Sequence, residues 1–156
     1  MSAPLSAPVR PAATVENMTD ALSYFSAKLA LETDASDVYA AQKAGEDFVL
    51  VDVRGDDAWE QGRITGAIHM PYRQIAERAP LELDPQVPVV VYCWSPGCNA
   101  GAKGALEFAK LGYTVREMIG GYEYWAREGQ PLENDEGPLP RVFDAQVMVV
   151  RQSVAG

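Results

Sequence analysis

Histidine occurs once, at His69, and cysteine twice, at Cys93 and Cys98, in a chain of 156 residues. A four-ligand zinc centre of cysteine and histidine cannot be assembled from three such residues. Two cysteines do not make a disulfide framework either, and no metal site is expected. No apolar run approaches the roughly 20 residues that cross a bilayer, so no membrane partner is expected. Cations are scarce: 13 Lys and Arg stand against 22 Asp and Glu, a formal charge of −9 and a sequence pI near 4.5. That balance argues against a broad phosphate-binding surface, and so against nucleic acid as a partner. Met1 to Ala13 is rich in Ala, Pro and Ser without an apolar signal core. Nothing there directs secretion, and the expected compartment is the cytoplasm.

What remains is ordinary globular composition, 47% hydrophobic and 22% charged. A flexible arm is expected over residues 1–16, where Pro4, Pro8 and Pro11 interrupt any helix. A helical extension follows over 17–33, capped at Thr19 or Asp20, with Leu22, Phe25 and Leu29 on one face. The main domain is expected over 34–132. Its first helix runs from near Ser36 to Lys43 and stops at Gly45.

Three short apolar runs read as buried strands: Phe48 to Val53, Pro88 to Tyr92 and Tyr113 to Ile119. Ala67 to Met70 is a candidate fourth. Val89-Val90-Val91 lacks polar alternation, which suits a central parallel strand covered on both faces. Between the second and third runs, Ala102, Ala105, Leu106 and Ala109 recur at helical spacing, with Lys103, Glu107 and Lys110 opposite. Strand, helix, strand defines a right-handed βαβ unit. The fold class is therefore α/β, a small, mostly parallel sheet with helices on both faces. Residues 133–156 read as a C-terminal extension. Leu132 to Pro140 is acidic and Pro-rich like a loop, and Val147 to Val150 is a candidate edge strand or docking segment.

The informative segment is Cys93-Trp94-Ser95-Pro96-Gly97-Cys98-Asn99, with Lys103 beyond it. Cys93 stands where the buried strand ends and a helix starts near Asn99. Ligands of open α/β sheets bind at the carboxyl ends of strands. Pro96 and Gly97 force a turn, so successive amides can form an anion nest reinforced by the helix behind it. The same amides would favour the Cys93 thiolate. The alternative is a small buried hydrophobe. Cys98 has two readings, a resolving thiol facing Cys93 or a space-filler at the helix start. In the first, it attacks a persulfide or a sulfenic acid and closes a disulfide. Lys103 has two readings as well, the nearest cation to the loop or a surface residue pairing with Glu107. Asp52 and Arg54 read as a buried pair fixing a strand end, His69 as a structural hydrogen-bonding residue, and Trp59 and Trp125 as core.

The ordered run of motifs resembles the single-domain rhodaneses, a sulfurtransferase family. Leu50-Val-Asp-Val-Arg54 resembles the family's opening strand. Trp59 with Gly62-Arg-Ile-Thr-Gly-Ala-Ile-His-Met-Pro71 resembles its turn into the second strand, and Val91-Tyr-Cys93 the strand leading to the active cysteine. Gly112-Tyr113, Ile119-Gly-Gly121 and Trp125 resemble its closing segments. The resemblance covers about Asp34 to Leu132. It implies that Cys93 forms a persulfide, taking sulfur from a small anionic donor such as thiosulfate and passing it to a thiophilic acceptor, with no cofactor. Trp94, Ser95, Pro96, Gly97, Cys98, Asn99 and Lys103 would then form the substrate-binding loop.

Departures from the family pattern qualify this. The loop is longer than in many members and has no arginine between Cys93 and Arg116, while Arg63, Thr65 and Ala58 replace the family's usual histidine, proline and acidic residue. A carrier or regulatory module that exchanges sulfur with a protein partner is the alternative. A cysteine phosphatase or arsenate reductase ranks below both, because those chemistries lean on a loop arginine. A homodimer is left open.

Overall fold

Runs of valine bounded by charged and glycine-rich segments decide where this chain becomes a sheet. The computed structural model describes residues 15–151. All but the last two residues of the expected arm lie outside that range. Those two open α1 (Val15–Leu31), which starts earlier than the expected cap at Thr19 or Asp20. The chain divides into two units, Met1–Ala30 and Leu31–Gly156. On α1, Leu22, Phe25 and Leu29 are all exposed, and the Tyr24 and Phe25 rings meet edge to face.

The second unit opens with β1 (Glu32–Thr33), ahead of the expected domain start, and α2 (Ala35–Ala44). Asp34 caps α2 by accepting from the Asp37 N–H at 2.9 Å, and Gly45 ends it in the left-handed region at φ 71°. Next come β2 (Val49–Asp52), α3 (Asp56–Gln61), β3 (Arg63–Ile64) and β4 (Ile68–His69). A short 3-10 turn, Tyr72–Gln74, leads into α4 (Ile75–Glu82). Then follow β5 (Val89–Tyr92), α5 (Ala100–Lys110), β6 (Val115–Met118), α6 (Gly121–Arg127), β7 (Leu132–Asn134) and β8 (Gly137–Pro138).

The main sheet has the order β1-β6-β5-β2-β4, and every pairing in it is parallel. β5 is its middle strand, flanked by β2 and β6, and all four of its residues are buried. Strand alternation sorts the core into two layers. Val51, Val53, Val89, Val91 and Cys93 pack with Ile75, Ala79, Phe108 and Tyr113 from the α4 and α5 side. Leu50, Val90, Tyr92 and Met118 pack with Val38, Trp125 and Leu132 on the other. Each fully buried Val, Ile or Phe contributes about 1.5–3 kcal/mol.

Three sequence expectations are corrected here. On α5 the buried face is Gly101, Gly104 and Phe108, whereas Ala102, Leu106 and Ala109 are exposed. A Cβ at Gly104 would stand 2.8 Å from a Val53 methyl, so the glycine permits close approach of helix to sheet. The segment Leu132 to Pro140 is not a plain loop. β7 and β8 form a hairpin, and β7 pairs antiparallel with β3, because Leu132 is buried and needs a partner strand. Val147 to Val150 forms no strand; a turn led by Asp144 occupies its start, and the nearest ladder contact is an isolated bridge between Glu128 and Phe143.

Candidate functional site

The carboxyl ends of β2 and β5 lie side by side, with Asp52 in register with Tyr92. The chain leaving β5 carries Cys93, which is 5% exposed and points into the α5-side layer. Trp94 is 38% exposed, and Pro96, Gly97 and Asn99 are at the surface. The Cys98 N–H donates to the Ser95 carbonyl at 3.0 Å, closing a turn over Pro96 and Gly97. One of the amides expected in an anion nest is therefore used inside the loop.

That turn brings Cys98 back over Cys93. Their Cα atoms are 6.2 Å apart, within the span a disulfide needs, and the two sulfurs are bonded. Cys98 thus faces Cys93 rather than filling space at the helix start. No cysteine among the described residues is free, so the structure holds the oxidised form of the loop and not the thiolate the sequence suggested.

The base of the loop is pinned by α6. The Tyr122 N–H donates to the Cys93 carbonyl at 2.8 Å, and the Glu123 N–H to the Trp94 carbonyl at 2.7 Å. In a trans peptide the N–H lies opposite the C=O, and no peptide bond described is cis. The Trp94 and Ser95 N–H groups therefore face away from α6. Gly120 and Gly121, at φ 83° and 60°, make the approach possible, since a Cβ at Gly121 would stand 2.5 Å from the Cys93 carbonyl oxygen. These clamping amides were missed from sequence, although the Gly-Gly pair is a visible signal for them. At the far side of the loop α5 starts at Ala100, and its N-cap Asn99 makes no side-chain capping bond.

The end of β2 is built differently. Asp52 and Arg54 are 0% and 3% exposed. Arg54 Nε and Nη2 grip the Asp52 carboxylate at 3.0 and 2.7 Å, and Nη2 also donates to the Gly62 carbonyl at 2.6 Å. The Tyr92 hydroxyl donates to Asp52 Oδ2 at 2.6 Å and accepts from the Ile64 N–H at 3.2 Å. Burial, with the Asp52 charge and hydrogen bond behind it, holds the Tyr92 phenol well above its ordinary value. The guanidinium lies 4.2 Å from the Trp94 ring centroid and 4.5 Å from that of Tyr122. Burial also raises the Tyr122 phenol, against the nearby Arg54 charge. Arg54 thus supports the underside of the loop through Trp94.

Other expected residues fall around this pair of strand ends. His69 Nε2 lies 2.8 Å from the Arg54 carbonyl, and its ring stacks on Trp59 at 4.9 Å. Trp59 is half-buried rather than core, held between His69 and the Arg63 guanidinium. Trp125 is 0% exposed, as a core residue should be. Lys103 does not pair with Glu107. Its ammonium lies 5.5 Å from the Tyr72 ring, because Glu107 takes Lys110 at 2.9 Å. Beside Trp94 opens a cleft of about 570 Å³ lined by Gly55, Asp56, Asp57, Ala58 and Gln61. Among the described residues no cluster of His, Cys, Asp and Glu could hold a metal ion, and no helix is long and apolar enough to cross a membrane.

An open parallel sheet with a cysteine loop at the carboxyl end of its middle strand defines an α/β protein with a strand-end site. The model of the rhodanese-like domain matches residues 34–128, and the chain belongs to that family. A thiosulfate sulfurtransferase GlpE of Actinobacillus succinogenes is 34% identical over 96 residues, which span 61% of this chain and 84% of that protein. An HTH-type transcriptional regulator of Mycobacterium tuberculosis is 35% identical over 97 residues, 62% of this chain but 41% of the regulator. Among solved structures, the BH2092 protein of Bacillus halodurans superposes with a TM-score of 0.71 at 33% identity, covering 88% of this chain and 96% of that one. The kinship with sulfurtransferases therefore holds at the level of the family.

Proposed function

We propose that the chain is a rhodanese-type sulfurtransferase whose nucleophile is Cys93 in the reduced loop. The thiolate attacks the outer sulfur of a donor such as thiosulfate. The donor's S–S bond breaks, sulfite leaves with the electron pair, and Cys93 keeps one extra sulfur. A thiophilic acceptor then takes that sulfur. The observation that supports this best is the position of Cys93 at the end of the middle strand, with both following carbonyls drawn to α6 and the Trp94 and Ser95 N–H groups left to face the other way. Such amides stabilise an anion without a cation. The reading places the reaction in the cytoplasm, with no cofactor.

A second reading, a carrier that exchanges sulfur with a protein thiol, draws on the cleft beside Trp94. Asp56 and Asp57 line it, and their charge disfavours a small dianion there. The test for the first reading is thiocyanate formation from thiosulfate and cyanide by reduced protein. Cys93→Ser should abolish it, and unchanged activity in that variant overturns the assignment. Negligible thiocyanate with ready sulfur uptake from a persulfidated protein favours the second.

A further inference from the structure

The loop contains two sulfurs where a transferase needs one, and the fold has brought them together. Cys93 is buried and Cys98 is half-buried, with the exposed Pro96, Gly97 and Asn99 around it. The Ser95–Cys98 turn brings them together, and their Cα atoms stand 6.2 Å apart. Any persulfide on Cys93 therefore forms directly beneath a second thiol, closer than any acceptor arriving from solution.

We infer that Cys98 competes with the thiophilic acceptor: where none is present, it discharges the Cys93 persulfide inside the loop and releases the transferred sulfur as hydrosulfide. This inference rests on Cys93 being the nucleophile. The Cys98 thiol gives its proton to solvent, and its sulfur attacks the inner sulfur of Cys93–S–SH. The Cys93–Cys98 bond forms, the bond to the outer sulfur breaks, and that sulfur leaves as HS⁻ with the electron pair. The transferred sulfur gains two electrons, and the two cysteine sulfurs lose one each. With thiosulfate as donor, the products are sulfite, hydrosulfide, a proton and the disulfide present in the structure. No outside oxidant is required.

The cycle then needs a reductant, and its class follows from the product. A dithiol of the thioredoxin type would attack the more exposed sulfur, Cys98, through a mixed disulfide and return Cys93 as a thiolate. The activity is a dithiol-dependent reductive release of hydrosulfide, and its macromolecular partner is a protein dithiol.

The experiment uses full-length protein, reduced with dithiothreitol, freed of it under anaerobic conditions and mixed with thiosulfate. Sulfite, hydrosulfide, free thiols and intact mass are followed together. Wild type should release sulfite and hydrosulfide in equal amounts, lose both thiols and lose the mass of two hydrogens. Cys98→Ser should release sulfite, keep the mass of one added sulfur, and show hydrosulfide reduced at least about tenfold. Polysulfide loading, read by mass alone, checks that the variant accepts sulfur. If wild type holds the added sulfur as long as Cys98→Ser does, with no disulfide formed, the inference fails while Cys93 stands as nucleophile. If neither protein takes sulfur from thiosulfate or polysulfide, the nucleophile assignment falls and this inference with it. Should Cys98→Ser not fold, the match of hydrosulfide to disulfide in wild type alone decides.

Discussion

Two neighbouring strands of one sheet end in opposite ways. β2 ends in charge: Asp52, Arg54, Tyr92, Gly62 and Ile64 share a connected set of hydrogen bonds, nearly all of it buried. β5 ends in a loop whose side chains contribute a disulfide and an exposed indole, and whose order comes from backbone bonds to α6 and one internal turn. The first region fixes geometry, and its one buried polar atom without a hydrogen-bond partner is Arg54 Nη1. The second is held at its base and left open at its tip, where chemistry requires bonds to be made and broken. Stability is concentrated at one strand end and reactivity at the other, with Arg54 against Trp94 as the link between them.

The strongest challenge to that division is Asp52→Ala. It leaves the Arg54 guanidinium buried without its carboxylate, which should cost about 3–5 kcal/mol. Chemical denaturation would measure it; a loss below about 1 kcal/mol, the scale of an exposed pair, would mean the network is not a frame. Gly121→Ala comes next. It forces a Cβ against the Cys93 carbonyl at a left-handed position, at the upper end of the roughly 1–3 kcal/mol that such strain costs. Sulfur transfer should fall more than stability does, because the displaced atoms belong to the loop. Equal wild-type rates in a folded variant would show that the clamp does not position Cys93.

Tyr92→Phe should have the smallest effect, about 1–2 kcal/mol from the lost donor to Asp52 and acceptor for Ile64. Its signature is in pH. The folded chain holds this phenol's proton well above the ordinary 10.0 of the unfolded chain. The folded state therefore binds more protons as the unfolded phenol titrates. Stability is fully present below that ordinary value and falls as pH rises past it toward the folded value. Unfolding free energies measured from neutral to strongly alkaline pH should show a shallower decline in Tyr92→Phe. Identical slopes would remove Tyr92 from the network's energetics.

Much of the frame was legible because it is written in local chemistry. Valine runs mark β2 and β5, and Gly45 marks the end of α2 through a backbone preference that acts within a few residues. The face of α5 was misread because two of its three buried residues, Gly101 and Gly104, carry no apolar side chain to register in a periodicity. The β7–β8 hairpin was hidden by acidic, proline-containing composition, and its reason to form is β3, far away in sequence. At the site, the position of Cys93 followed from strand and motif. The pairing with Cys98 did not, because five residues of separation permit many Cα distances until the Ser95 turn selects one. The support that Arg54 gives Trp94 depends on side chains from two strands meeting, which no spacing along one chain reports.

Alternation along β5 has a consequence for how this site can change. Tyr92 and Cys93 are adjacent, yet one belongs to the polar lattice and the other to the sulfur loop because odd and even positions project to opposite layers. Lengthening that strand by a single residue would exchange the phenol and the thiol, ruining both ends at once. Insertions between Trp94 and Asn99 carry no such parity constraint. The tip is constrained instead by the turn that pairs its cysteines, and the strand beneath it by its residue count.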